Sequence, residues 1–242
     1  MNNFIEKCDL AYYSGYPIIS DEEYDALIAK YNLRSVGHTI TDGVPHAHKM
    51  YSLQKFFDLD DAPNYLEEGS NVVITPKLDG AAVSLLYVNG HFALGLTRGD
   101  GNIGRDITDK MSMLVPEEIT TYGEVFITGE VVCPSDVPNS RNVASGSLGL
   151  KSIAEFALRP LTFVAYDVQS SEIDYSHYQT AMRLLANLGF NVVTTFDASL
   201  YPIDGKVYRA DDQKVFKRLG HTAHHPRGAF AFKKRKEGVQ TE

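Results

Sequence analysis

The sequence has no apolar run long enough to cross a bilayer. Its start, Met1-Asn2-Asn3-Phe4-Ile5-Glu6-Lys7, lacks the basic flank and apolar stretch of a secretory signal. Cysteine is scarce: Cys8 and Cys133 stand far apart, and neither belongs to a Cys-x-x-Cys pair. That argues against a zinc ribbon or a disulfide scaffold and fits a reducing cytoplasm. Internal repeats and low-complexity tracts are absent. His221, His224 and His225 have no metal-ligating partners at convincing spacing and read as surface or phosphate-facing groups.

What remains is ordinary globular composition: 242 residues, 43% hydrophobic and 22% charged, enough for one large domain and a small accessory region. The net charge of −8 looks wrong for a protein that meets nucleic acid, until its distribution is read. Residues 205–238 hold ten Lys/Arg against three Asp/Glu, so this stretch carries +7 and the rest −15. Only the C-terminal part suits a polyanion; a solvated basic surface is the plainer alternative.

Hydrophobic patterning sets the organisation. Residues 3–33 read as two short helices joined by a turn at Gly15-Tyr16-Pro17. Ser20 and Glu23 form a capping-box pattern for the second, with Tyr24, Leu27 and Ile28 on one face. The Gly/His/Pro-rich stretch 37–48 marks a boundary. Strands are predicted at 72–74, 82–88, 92–97, 125–133, 161–168, 190–193, 206–210 and 229–234, with an Asn89-Gly90 type I′ hairpin. Helices are predicted at 106–113, 178–188 and 211–219. Long strands with hairpins favour an α+β fold of antiparallel sheets over a doubly wound parallel one.

One short motif carries chemistry. Lys77-Leu78-Asp79-Gly80 follows a strand, which fixes the lysine; Asp79 points the same way, and Gly80 lets the chain turn close to a ligand. A lysine amine becomes nucleophilic only when burial or neighbouring charge activates it. Alone, Lys-x-Asp-Gly is as often a surface turn; the ordered company it keeps is more telling. Thr97-Arg98-Gly99-Asp100-Gly101 and Gly129-Glu130-Val131 follow, then Asn139-Ser140-Arg141-Asn142 and Leu161-Thr162-Phe163-Val164-Ala165-Tyr166. Ile203-Asp204-Gly205-Lys206-Val207 and Ala229-Phe230-Ala231-Phe232-Lys233 close the series. Upstream lie His48-Lys49-Met50-Tyr51-Ser52-Leu53, and Tyr12-Tyr13 with Ser20-Asp21-Glu22-Glu23-Tyr24-Asp25. Over residues 8–237 this order resembles the NAD-dependent DNA ligases.

The resemblance implies a helical domain Ia at 1–45 and a ligase-type nucleotidyltransferase (adenylation) domain at 46–242. It implies NAD as cofactor with Mg2+ or Mn2+, nicked double-stranded DNA as substrate, and the cytoplasm of a bacterium or an infected bacterial host. Lys77 would attack NAD and become lysyl-AMP. Asp79, Arg98, Glu130, Asp204 and Lys233 complete the implied catalytic set, with Arg98 and Glu130 on the ribose and Glu130 and Asp204 beside the metal. Tyr166 would stack on adenine, and Lys233 and Arg209 would meet the α-phosphate. Ser52, Leu53, Thr75 and Arg141 would line the nucleotide pocket. Tyr12, Tyr13, Asp21, Tyr24 and Asp25 would hold the nicotinamide nucleotide, although Tyr24 also reads as plain core.

Departures from the pattern are specific. Thr75 replaces an acidic residue, Arg209 a lysine and Gly149 an arginine, and the loop before Ile203 is short and lacks an arginine. Beyond Gly238 the family continues into an OB-fold, a zinc module and helix-hairpin-helix repeats. A second chain carrying these domains is therefore an expected partner, and the alternative is a chain cut at a domain boundary. Rival readings are an ATP-dependent ligase or capping nucleotidyltransferase, and a non-catalytic NAD-binding scaffold. The Tyr-Tyr and Asp-x-x-Tyr-Asp patterns favour NAD over the first, and retention of the whole catalytic set disfavours the second.

Overall fold

The computed structural model describes residues 18–31, 43–63, 71–170 and 172–233, together with Phe4, Ile5, Lys7, Cys8 and Ala11. In chain order, α1 spans Asp21–Tyr31, β1 Val44–Pro45, β2 Gln54–Phe56, β3 Val72–Leu78, β4 Ala81–Val88, β5 His91–Thr97 and β6 Ile103–Gly104. Then come α2 (Thr108–Met111), β7 (Glu124–Val132), α3 (Ser140–Ser147), α4 (Ile153–Ala157), β8 (Thr162–Ser170) and α5 (Tyr178–Asn187). The chain continues through β9 (Asn191–Val192), β10 (Ile203–Ala210), α6 (Gln213–Leu219) and β11 (Ala229–Phe232).

The strands form a five-stranded sheet ordered β5-β4-β7-β8-β9, a four-stranded sheet ordered β2-β11-β10-β3, and the small pair β1-β6. The fold is α+β, but its sheets are mixed: β8 pairs with β9, and β11 with β2, in parallel. The expectation of purely antiparallel sheets is corrected at these two edges. Both parallel partners are only two or three residues long, too short for the sequence to reveal the direction of their pairing.

Local chemistry explains the well-read elements. Ser20 N–H donates to Glu23 Oε2 at 2.8 Å and Glu23 N–H to Ser20 Oγ at 3.2 Å, a reciprocal capping box that starts α1. Asn89 and Gly90 both take positive φ, 46° and 84°, as a type I′ hairpin demands. Asp212 accepts from the Lys214 and Val215 N–H groups as N-cap, so α6 begins at Gln213 rather than Asp211.

The main core lies on one face of the five-stranded sheet, where Val83, Leu85, Ile127 and Val131 meet Met111, Phe156, Met182 and Leu185. The opposite face is shared. Side chains alternate along a strand, so Leu86 and Val88 of β4 share that face with Ala82, and Phe126 of β7 shares it with Glu130. Phe4, Ile5, Cys8, Ile19 and Leu27 cover the Leu86/Val88/Phe126 end. The other end, Ala82 and Glu130, leads to the nucleophile motif.

Candidate active site

Lys77 is the penultimate residue of β3, and the chain then leaves the four-stranded sheet and enters β4 of the five-stranded one. Leu78-Asp79-Gly80 makes that crossing. Gly80 lies so close to β7 that a Cβ would stand 2.1 Å from the Val131 carbonyl oxygen, so no side chain fits. The crossing is sealed by Gly80 N–H donating to Glu130 Oε1 at 3.1 Å. Asp79 pairs with Arg141 Nε of α3 at 3.0 Å.

Opposite Lys77, β10 carries an irregularity: Ile203 pairs with Leu78 and Gly205 with Lys77, which leaves Asp204 as the extra residue. A bulge of this kind re-aims a side chain. Asp204 Oδ1 lies 3.2 Å from Lys77 Nζ, and Oδ2 accepts from Lys233 Nζ at 2.5 Å. Lys233 follows β11, and its backbone N–H donates to Phe56 O. Thus β3, β10 and β11 bring two ammonium groups to one carboxylate. Burial opposes ionisation of Asp204, but Lys233 and Lys77 outweigh it and hold its carboxyl below the usual range.

Glu130 goes the other way. Burial, reinforced by Asp79 and Asp204, pushes its carboxyl up to about 7 against the pull of Lys77 and the Gly80 N–H. Tyr166 is the unpaired residue at an irregularity of β8, between Ala165, opposite Gly129, and Asp167, opposite Thr128. Burial and the Glu130 and Asp167 carboxylates raise its phenol well above the ordinary value. Arg98 follows β5 directly, where its N–H donates to Ala82 O and its Nε to Met50 O. Thr75 is buried on β3, opposite Val207.

The structure brings Lys77, Asp79, Glu130, Asp204, Lys233 and Arg141 into one set of contacts and fields, with Arg98 and Tyr166 close enough to act on it. It does not bring Arg209 there. Arg209 stands opposite Val73, and its guanidinium pairs with Asp167 at 3.1 Å between the Tyr178 and Phe216 rings, each 4.2 Å away. Ser52 and Leu53 precede β2. Ser52 is tied to the loop after α6: its N–H donates to His224 O, and its hydroxyl and carbonyl meet His225 Nδ1 at 3.1 and 2.9 Å. The sequence gives no sign of that docking, because nothing in the spacing of the histidines links them to a serine more than 170 positions upstream. Tyr24 packs, half-buried, against the apolar cluster on β4 and β5. Tyr12, Tyr13 and the side chains of Asp21 and Asp25 lie outside the described residues.

Among the described residues, no three His, Cys, Asp or Glu side chains gather into a ready-made ion cage. Asp204 Oδ1 is shielded from solvent and receives no aligned hydrogen bond despite its ion pair. A hard oxygen left available in this way fits a Mg2+-type ion that takes one or two carboxylates and fills its shell from water and substrate phosphates.

Residues 40–200 match the family model of the NAD-dependent DNA ligase adenylation domain. A DNA ligase of Campylobacter concisus (strain 13826) is 29% identical over 92% of this chain and 44% of its own length. DNA ligase 1 of Nocardia farcinica (strain IFM 10152) is 32% identical over 92% of this chain and 42% of its own. The chain thus spans less than half the length of these curated relatives. Among solved structures, an archaeal ATP-dependent RNA ligase shares 15% identity at a TM-score of 0.47, covering 81% of this chain and 50% of its own. That likeness is too loose to characterise this chain.

Proposed function

The chain belongs to the NAD-dependent DNA ligase adenylation-domain family, and from that premise we propose that Lys77 takes AMP from NAD. The observation that carries the reading is Asp204 standing between Lys77 and Lys233 at 3.2 and 2.5 Å. The ammonium of Lys77 loses one proton, and its Nζ attacks the adenosine-side phosphorus. A P–N bond forms, the bond to the nicotinamide-side phosphate oxygen breaks, and nicotinamide mononucleotide departs with the bonding pair. The second nitrogen proton leaves as the phosphoramidate settles. Asp204 orients both amines, so that one attacks while Lys233 faces the charge that grows on the phosphoryl oxygens. Arg98 and Glu130 are placed to hold the ribose, Tyr166 to offer adenine a ring face, and Thr75 and Arg141 to line the pocket. Glu130 and Asp204 are the groups that would hold the divalent ion, which supplies charge neutralisation on the phosphates.

Residues 1–45 form the nicotinamide-binding part of this reading, and 46–242 the adenylation domain. Support comes from the shared face of the five-stranded sheet: Phe4, Ile5, Cys8 and Leu27 cover one end and Glu130 occupies the other. Phe126 and Glu130 stand four positions apart, about 13 Å along a strand, a distance a dinucleotide can span. Transfer of the AMP to the 5′-phosphate of nicked DNA, with a partner chain carrying an OB-fold, extends the proposal to later steps. The direct test is labelling with NAD radioactive in its adenylate half, in the presence of Mg2+. Wild type acquires the label and Lys77→Ala, folded by circular dichroism, acquires none; undiminished labelling of the variant contradicts the assignment.

A further inference from the structure

A cleft of about 450 Å³ opens beside the crossing turn, between the start of β4, the loop after β5 and the end of α3. Its link to the site is α3 itself. Arg141 of that helix pairs with Asp79, while Ser145 and Leu148, four and seven positions on, line the cleft. Residues at that spacing lie along one side of a helix, so the cleft runs away from Asp79 by about 10 Å at 1.5 Å per residue. Its other walls are uncharged, Ala82, Gly99, Gly104, Ile103 and Leu148 among them, and of the described residues that line it Arg105 is the one that is charged.

Arg105 is held by its backbone alone. Its N–H donates to Thr97 Oγ1 at 2.9 Å and its carbonyl accepts from Thr97 N–H at 3.0 Å, which pins it to the end of β5. Its exposed guanidinium has no hydrogen-bond or ion-pair partner among the described residues. The guanidinium lies beside Gly149, where a Cβ would come within 3.8 and 3.9 Å of the two Arg105 Nη atoms. A planar five-donor cation on a rigid mount, in a cleft whose lining includes Gly99 and Gly104, matches a phosphate group whose oxygens approach backbone closely.

We propose that Arg105 is a phosphate-binding residue of the active-site cleft, reaching from the loop after β5 into the space that Gly149 leaves open. The phosphate belongs either to the nicotinamide half of the dinucleotide or to the 5′ end at the nick in DNA. The inference rests on the adenylation reading for the identity of the site.

Two assays on the purified 242-residue chain decide the matter. In the first, the rate of AMP attachment is followed against NAD concentration. In the second, binding of a nicked duplex with a 5′-phosphate is compared with that of the same duplex ending in 5′-hydroxyl. Arg105→Ala is expected to lose about tenfold or more in one of them, the size of a charge-assisted hydrogen bond to phosphate. A raised KM for NAD identifies the dinucleotide; a vanished preference for the 5′-phosphate identifies DNA. Arg105→Lys retains part of the effect, and adding Gly149→Arg to Arg105→Ala restores the affected readout by returning a cation to the cleft. Changes under twofold in both assays, or no gain from Gly149→Arg, overturn the proposal. If wild type takes no label from NAD, the adenylation reading fails while the duplex assay still judges Arg105, and no 5′-phosphate preference in wild type then overturns it too.

Discussion

Asp204 and Glu130 are two carboxylates around one lysine whose surroundings push them in opposite directions. Asp204 receives two lysine amines and stays ionised, so the stability it gives is present at neutral pH and lost as pH falls through its lowered pKa. Glu130 is raised to about 7 by burial and by neighbouring carboxylates. Between an ordinary glutamate value of 4.5 and about 7, the folded chain therefore binds this proton more tightly than the unfolded chain does. Stability from Glu130 is complete below the ordinary value and drains away as pH rises through that window. Denaturant unfolding of the metal-free and nucleotide-free chain, wild type against Glu130→Gln, should show wild type losing ground to the variant from about pH 5 to pH 8. A constant difference would mean that Glu130 titrates as an ordinary glutamate, and one of opposite slope that its pKa is lowered; either contradicts this reading. The sequence made both residues visible as motif members. It could not tell that one lies in a bulge and the other behind a crossing turn, and those positions set their charge.

At the scale of elements, Arg209 shows how a motif residue can be taken up by packing. It projects from β10 and ties together β8 through Asp167, α5 through Tyr178 and α6 through Phe216, while itself only 8% exposed. The sequence offered a cation in a motif position and hence a phosphate ligand. Its actual partners sit on three other elements and become visible only when the helices close over the strand. Breaking a buried pair leaves a charge without its counterion, so Arg209→Ala should destabilise the fold by about 3 kcal/mol. Arg209→Lys should also be costly, since an ammonium cannot stack between two rings as a planar guanidinium does. Chemical denaturation reads both; a loss of AMP labelling with unchanged stability would instead put Arg209 in the nucleotide site. Elsewhere the legibility of elements followed their local chemistry. Strands β4, β5, β7 and β8 declared themselves through alternation and β-branched content, and α1 through its capping box. Helix α3 did not, because Ser140-Arg141-Asn142-Val143-Ala144-Ser145-Gly146-Ser147 is made largely of residues that favour caps and turns. Its helical form depends on packing against β7 and β4, which no local signal announces.

For the molecule as a whole, the uneven charge acquires a location. Of the cations in the +7 segment, Arg209 is buried and Lys233 belongs to the site, whereas Lys206, Lys214, Lys217, Arg218 and Arg227 face solvent. Three of those five sit on α6, and among the described residues they are the exposed cations that a DNA backbone could meet there. Replacing Lys214, Lys217 and Arg218 by glutamine should weaken binding of a nicked duplex. Its logarithmic salt slope should flatten by about one for each phosphate these side chains neutralise. AMP labelling should be unaffected. A salt slope identical to wild type would make the basic stretch a solvated surface and no more. Grip of this size, set against −15 on the rest of the chain, predicts that these 242 residues by themselves seal nicks poorly. The central claim does not depend on DNA at all, because the groups proposed to meet the nucleotide converge within this chain. It is tested most directly by the intact mass of the purified chain after incubation with Mg2+ and NAD, beside a parallel incubation with ATP. The account predicts a gain of one AMP from NAD, carried on the peptide that contains Lys77, and none from ATP. No gain from NAD, a gain from ATP alone, or an adduct on any peptide without Lys77 would contradict it.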